Sequence, residues 1–161
     1  IYGNIFAKVN WKDLTLSLGF NYSLGNDVFN YQRSILNSGS TFYNQQVAST
    51  NHWRYEGQQA DLPRAIFGDP MANNRFSDRW IDDASYIKLR DITFSYTWDK
   101  PLFNFLQGGT VYVTGENLIC FTDYLGLDPE FSYSNSAMFQ GVDNAKVCAP
   151  RTIKFGVNLR F

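Results

Sequence analysis

The chain has 161 residues, enough for one domain, and a formal net charge of -1, so no basic field is present to recruit the phosphates of a nucleic acid. Charged residues make up 18%, below the roughly 25% of soluble domains, while Phe, Trp and Tyr reach 17%. No run of about 18 apolar residues occurs, which excludes a membrane helix but not a barrel strand, since a barrel strand is only half apolar. The sequence starts at Ile1 with no basic n-region or apolar h-region, so it is expected to be processed or part of a longer chain.

From Asn4 to Trp11, Ile5, Ala7, Val9 and Trp11 alternate with Asn4, Lys8 and Asn10, and Phe6 is the one misfit. Successive side chains of a strand point to opposite faces, so this pattern predicts a strand over 4–11. Lys12-Asp13 is a break of hairpin length. A second strand is predicted over 14–24, with Leu14, Leu16, Leu18, Phe20, Tyr22 and Leu24 on one face and Thr15, Ser17, Gly19, Asn21 and Ser23 on the other. Its length matches the ~9–11 residues a tilted strand needs to cross a bilayer.

Residues 25–85 read as a long polar loop with turn signals at Leu62-Pro63 and Asp69-Pro70 and room for a short helical turn around Pro63 to Phe67. Alternation returns over 86–98, where Ile92, Phe94, Tyr96 and Trp98 oppose Thr93, Ser95 and Thr97. Upstream the apolar positions change parity to Ile87 and Leu89, which implies either a bulge near Arg90-Asp91 or a strand top that packs inward. Leu102, Phe103, Phe105 and Leu106 suit a helical turn closed by Gly108-Gly109. The strand over 110–118 is read with Val111, Val113 and Gly115 outward and Glu116 inward, a carboxylate on lipid being the costlier choice. A second long loop fills 119–150. The strand over 151–161 places Ile153, Phe155, Val157, Leu159 and Phe161 on one face against Thr152, Lys154, Gly156, Asn158 and Arg160.

Short and long connections alternate, as in an up-and-down barrel with turns on one side and large loops on the other. The outward faces put Trp11, Trp98 and Phe161 at the short-turn ends, where an interfacial aromatic girdle lies. The expectation is an all-β, antiparallel transmembrane β-barrel segment whose lipid-facing residues include Trp11, Leu16, Leu18, Phe20, Phe94, Trp98, Phe155, Val157, Leu159 and Phe161. Five strands cannot close, because the smallest membrane barrels have about eight. A surface carbohydrate-binding β-sandwich is the alternative, with the same alternation burying a core.

Four ordered pieces carry a family resemblance: Ile81-Asp82-Asp83-Ala84-Ser85-Tyr86-Ile87-Lys88-Leu89-Arg90-Asp91-Ile92-Thr93-Phe94-Ser95-Tyr96, then Gly115-Glu116-Asn117-Leu118, then Tyr124-Leu125-Gly126-Leu127-Asp128-Pro129-Glu130, then Pro150-Arg151-Thr152 into the terminal Phe strand. Together they resemble the end of SusC/RagA-like TonB-dependent outer-membrane transporters. The resemblance implies the C-terminal portion of a barrel of about 22 strands, with the plug domain and the TonB-contacting segment outside this chain. It also implies a SusD-like surface lipoprotein as lid, import of glycans or oligopeptides, and residence in the bacterial outer membrane.

No catalytic set stands out: His52 is the only histidine, and no cofactor or metal site is expected. An outer-membrane hydrolase would need a nucleophile and a base that the sequence does not offer. Asp82-Asp83 reads as a cap on the third strand, and Asp128-Pro129-Glu130 as a turn. Trp53, Tyr55, Tyr124, Phe131 and Tyr133 are the loop aromatics placed to meet a substrate or a lid partner; for any one of them loop packing is the favoured role, with some of the set expected to line the mouth. Cys120 and Cys148 sit at opposite ends of one loop. Antiparallel pairing of the last two strands would bring their sulfurs together, so a disulfide is expected, with two buried thiols as the alternative.

Overall fold

The computed structural model describes residues 1–101, 105–130 and 136–161. Two compact units emerge: a sheet unit of residues 1–26, 84–123 and 148–161, and a loop unit of residues 27–83 and 124–147.

The sheet unit is one antiparallel sheet of five strands: β1 (Tyr2–Trp11), β2 (Leu14–Ser23), β5 (Tyr86–Trp98), β6 (Gly108–Thr122) and β8 (Thr152–Arg160), adjacent in that order. Direct cross-strand partners share a face, so the register alone settles which residues lie together. One row runs through Val9, Leu16, Phe94, Val113 and Phe155, and the next through Ala7, Leu18, Ile92, Gly115 and Ile153. The opposite face carries Lys8, Ser17, Thr93, Thr114 and Lys154, then Asn10, Thr15, Ser95, Tyr112 and Gly156. One face of the whole sheet is therefore apolar and the other polar. Thr93 and Thr114 hydrogen-bond at 2.9 Å, Thr97 and Thr110 at 2.9 Å, and Asn4 donates to Asn21 at 2.9 Å. The Lys154–Glu116 pair, at 2.5 Å, is open to solvent and contributes at most about 1 kcal/mol.

The parity change ahead of Ile92 is a bulge. Phe20 of β2 opposes Leu89, whereas Gly19 opposes Asp91, leaving Arg90 over. On the other side Leu89 pairs with Ile119 and Asp91 with Glu116, so Asn117 and Leu118 are also extra. Because both strands bulge at one level, Ile87 and Leu89 return to the face that carries Ile92 and Phe94. The reading of Val111, Val113 and Gly115 on the apolar face and Glu116 on the polar one agrees with this register.

Among the described residues no second layer seals the apolar face: Phe155 is 82% exposed and Phe94 46% exposed. This overturns the β-sandwich, whose core would bury those rings. Trp11, Leu16, Leu18, Phe20, Trp98, Val157 and Leu159 all fall on this face by register, and Phe161 lies one residue beyond β8. The β1–β2 turn is the two-residue Lys12-Asp13, with Lys12 in the left-handed region at φ 54°.

The structure shows no disulfide between the two cysteines, and Cys120 is exposed and Cys148 half-buried, so a pair of buried thiols does not describe them either. Pairing between β6 and β8 stops at Glu116 and Thr152. Asn117 takes φ 54°, and β6 continues to Thr122 beside β5 alone, with Cys120 opposite Lys88. The strand therefore outruns its predicted end at 118, and Cys120 sits within a ladder instead of at a loop base.

The loop unit is not the featureless stretch that polarity implied. It holds β3 (Asp27–Asn30), α1 (Tyr31–Leu36), β4 (Ile81–Asp83) and β7 (Val142–Asp143). β3 is the central strand, antiparallel to β4 and parallel to β7. Single 3₁₀ turns occur at Val47–Asn51, Asp78–Trp80 and Ala137–Phe139, and none at 63–67, where a helical turn was expected. Asp82-Asp83 pairs with β3 and does not cap β5. Of the turn read over 102–106, residues 102–104 lie outside the described residues, and Leu106 makes a bridge.

Tyr112 and Gly156 are direct partners, and the tyrosine ring lies where a Cβ on Gly156 would be. Gly156→Val in the full-length protein should displace that ring at a cost of about 1–3 kcal/mol. The check is the fraction of protein that keeps the compact, heat-modifiable band on gels; Gly156→Ala should fall between the two.

Candidate functional site

The loop unit is organised by charge as much as by apolar packing. Trp80 is completely buried, and the Arg33 and Arg79 guanidiniums lie 5.6 Å and 5.9 Å from its ring centroid. Arg33 donates to Asp82 at 2.5 Å and to the Arg79 carbonyl at 3.1 Å. Asn30 caps α1 by accepting from the Arg33 backbone N–H at 2.9 Å, and its amide donates to the other Asp82 oxygen at 2.9 Å. Asp82 is thus a buried carboxylate held from two sides.

A second carboxylate, Asp143, is buried nearby in the same sheet, since Asn30 and Asp143 are direct partners across β3 and β7. It accepts from the Tyr124 hydroxyl at 2.6 Å and from the Ala145 backbone N–H at 2.7 Å. Burial, with the hydrogen bond and negative charge of Asp143 behind it, raises the Tyr124 hydroxyl well above the usual tyrosine range.

Two clefts open along this network. One, of about 220 Å³, is lined by Asn30, Gln32, Arg33, Leu36, Gln46, Leu125, Gly126, Leu127, Asp143 and Ala145. The other, of about 470 Å³, is lined by Arg33, Asn37, Gln46, Val47, Ala48, Asp61, Leu62 and Leu125. They share Arg33, Gln46 and Leu125. Side-chain amides, one guanidinium, the carboxylates of Asp143 and Asp61 and exposed leucines are a lining for hydrogen bonding and apolar contact; among the described residues no cluster of metal-ligating groups occurs.

The predicted contact aromatics separate. Trp53 and Tyr55 stand open on one loop, closed by the Trp53 N–H on the Leu62 carbonyl at 2.9 Å and by Asn51 on Asp61 at 2.7 Å. His52 beneath it is buried and donates through Nδ1 to the Pro63 carbonyl. Tyr124 is only 8% exposed, so its expected contact role is corrected: the hydroxyl serves Asp143. Phe131 and Tyr133 lie outside the described residues. Missed entirely was the Phe42–Phe67 pair, stacked at 4.7 Å and highly exposed. The two are 25 residues apart with no periodic pattern between them, and their segments are brought together by the Gly68 N–H on the Ser40 carbonyl at 2.9 Å and the Asn74 amide on the Ser38 carbonyl at 3.1 Å. At the Asp128 turn, the Glu130 N–H bonds the Asp128 side chain at 3.0 Å, as the turn reading requires.

Arg33→Met should leave the buried Asp82 with the Asn30 amide but no cation, destabilising the loop unit by about 3 kcal/mol, seen as faster hydrogen exchange over 27–36 and 78–83. Tyr124→Phe should cost about 1 kcal/mol and loosen 142–147. The raised tyrosine adds stability that is complete below pH 10 and lost as pH rises above it, since the unfolded chain then gives up a proton that the folded one keeps. In Tyr124→Phe this alkaline loss should be smaller.

No protein-family model matches the chain. TonB-dependent receptor P3 of Formosa agariphila is 31% identical over 160 residues, 95% of this chain and 15% of the relative. TonB-dependent receptor P26 of the same organism is 30% identical over 161 residues, and TonB-dependent receptor SusC of Bacteroides thetaiotaomicron is 26% identical over 162. The chain spans only about 14–16% of the length of these relatives. In fold it matches the RagAB peptide importer in its open-open state with a TM-score of 0.82 at 22% identity, over 99% of this chain and 17% of that one. An antiparallel five-stranded sheet with an apolar face, similar in sequence along nearly the whole chain to these receptors, matches a stretch of the barrel of SusC/RagA-like TonB-dependent receptors.

Proposed function

We propose that the chain is a C-terminal barrel part of an importer that carries nutrients, glycans or oligopeptides, across the bacterial outer membrane. The carrying observation is the unbroken apolar face of the five strands, open along its length and edged by Trp11 and Trp98 at the short-turn end. Strands of 9 to 15 residues are long enough to cross hydrocarbon, and only a closed barrel leaves no unpaired backbone within it. The rest of the barrel and a plug lie outside this chain, with TonB acting through the missing N-terminal part. The polar face then borders plug or water, and the long connections over 25–85 and 119–150 are the proposed extracellular loops.

The kinship with SusC, and the fold of RagAB, a peptide importer, support a transport role over an enzymatic one. A SusD-like lipoprotein is the proposed lid. Trp53, Tyr55 and the stacked Phe42 and Phe67 are the proposed contacts for lid or substrate, because exposed aromatic rings suit both sugars and protein hot spots.

Phe94 and Ser95 are neighbours on opposite faces of β5. In the full-length protein Phe94→Arg should cost about 2–4 kcal/mol of barrel stability in bilayers, and Ser95→Arg much less. Equal effects, measured by denaturant titration in vesicles, would refute a lipid-facing Phe94.

A further inference from the structure

At the short-turn end of the sheet a groove of about 540 Å³ is lined by Asp13, Tyr96, Trp98, Asp99 and Lys100. It is built inside the sheet, not at its edge. Asp13 belongs to the β1–β2 turn and the others to the end of β5 and just after it, and the Thr97 N–H bonds the Asp13 carbonyl at 2.8 Å to hold the two together. Tyr96 and Trp98 stack at 6.4 Å with an interplanar angle of 21° on the apolar face. The Trp98 ring also lies over Gly109, where any Cβ would strike it, so the aromatic floor is fixed in place. Around it stand two carboxylates and one ammonium. Asp99 is ion-paired with Arg160 yet remains largely exposed; neither Asp13 nor Lys100 has an ion pair among the described residues.

We propose that this groove seats the headgroup of an ethanolamine phospholipid, an inference that rests on the membrane reading above. The chemistry is complementary on three counts. A primary ammonium can donate to the carboxylates of Asp13 and Asp99 and sit against the faces of Tyr96 and Trp98. The adjoining phosphodiester meets Lys100. The acyl chains continue from the headgroup onto the apolar face, along Leu14, Tyr96 and Val111. Asp13, which has no ion partner among the described residues, gains a cation from an ammonium headgroup and none from glycerol phosphate.

The test uses the full-length protein, extracted in detergent, with short-chain phosphatidylethanolamine and phosphatidylglycerol as probes and retained lipid counted by native mass spectrometry. Ethanolamine lipid should be held in preference to the glycerol lipid by about tenfold or more. Asp13→Asn and Lys100→Met should each reduce that preference severalfold while leaving the heat-modifiable band intact, and Asp123→Asn, far from the groove in sequence and at the other end of β6, should not. Equal retention of the two lipids, or unaltered preference in both variants, would overturn the proposal. A protein that partitions into detergent but shows no preference refutes this inference alone, whereas one that stays monodisperse without detergent refutes the membrane reading as well.

Discussion

A sheet can keep one face wholly apolar only if each strand holds its place against the next, because sliding by one residue turns every side chain over. Here five strands hold that place through rows such as Val9, Leu16, Phe94, Val113 and Phe155. The turn at Lys12-Asp13 fixes the first pair, and the matched bulges at Arg90 and at Asn117-Leu118 correct the count where the third and fourth strands would otherwise fall out of step. The side-chain bonds of the polar face, threonine to threonine and asparagine to asparagine, add directional preference to a register already chosen by burial. An interior layer and an acyl-chain layer both reward such a face. The difference lies in what stands against it, and among the described residues Phe155 and Phe94 stay open.

Much of the sheet was legible because period two is a strong signal over nine or more residues. The faces of β2, β5 and β8 follow from Leu16, Phe94 and Phe155 without reference to any partner. The position of the bulge was legible too, from the parity change between Leu89 and Ile92, although two explanations remained open until the neighbours were known. The end of β6 was not. Ile119, Cys120 and Phe121 carry the strand on past Asn117, whose left-handed backbone frees it from β8 while leaving it on β5. A disulfide inferred from spacing assumed that two strands part at the same level on both sides.

The loop unit was illegible for a different reason. Its order comes from single long-range polar contacts: Arg33 on Asp82, Asn30 on both, Tyr124 on Asp143. Such contacts leave no periodic trace, and their residues read as ordinary loop composition. Tyr124 was singled out correctly as special and wrongly as a contact surface, since an aromatic with a hydroxyl serves equally well as an internal strut. The exposed Phe42–Phe67 stack was invisible because neither ring is unusual until the other is placed beside it.

The small sheet of the loop unit draws β3 and β4 from one excursion of the chain and β7 from the other, with the Phe29 N–H bonded to the Gly141 carbonyl at 2.8 Å. Two insertions far apart in the gene are therefore stitched into a single folding module. Recombination that replaced one and kept the other would leave β3 with an unmatched edge and Asn30 beside a foreign neighbour. Change in one excursion must then be matched in the other, by paired exchange or by gradual co-adaptation of both.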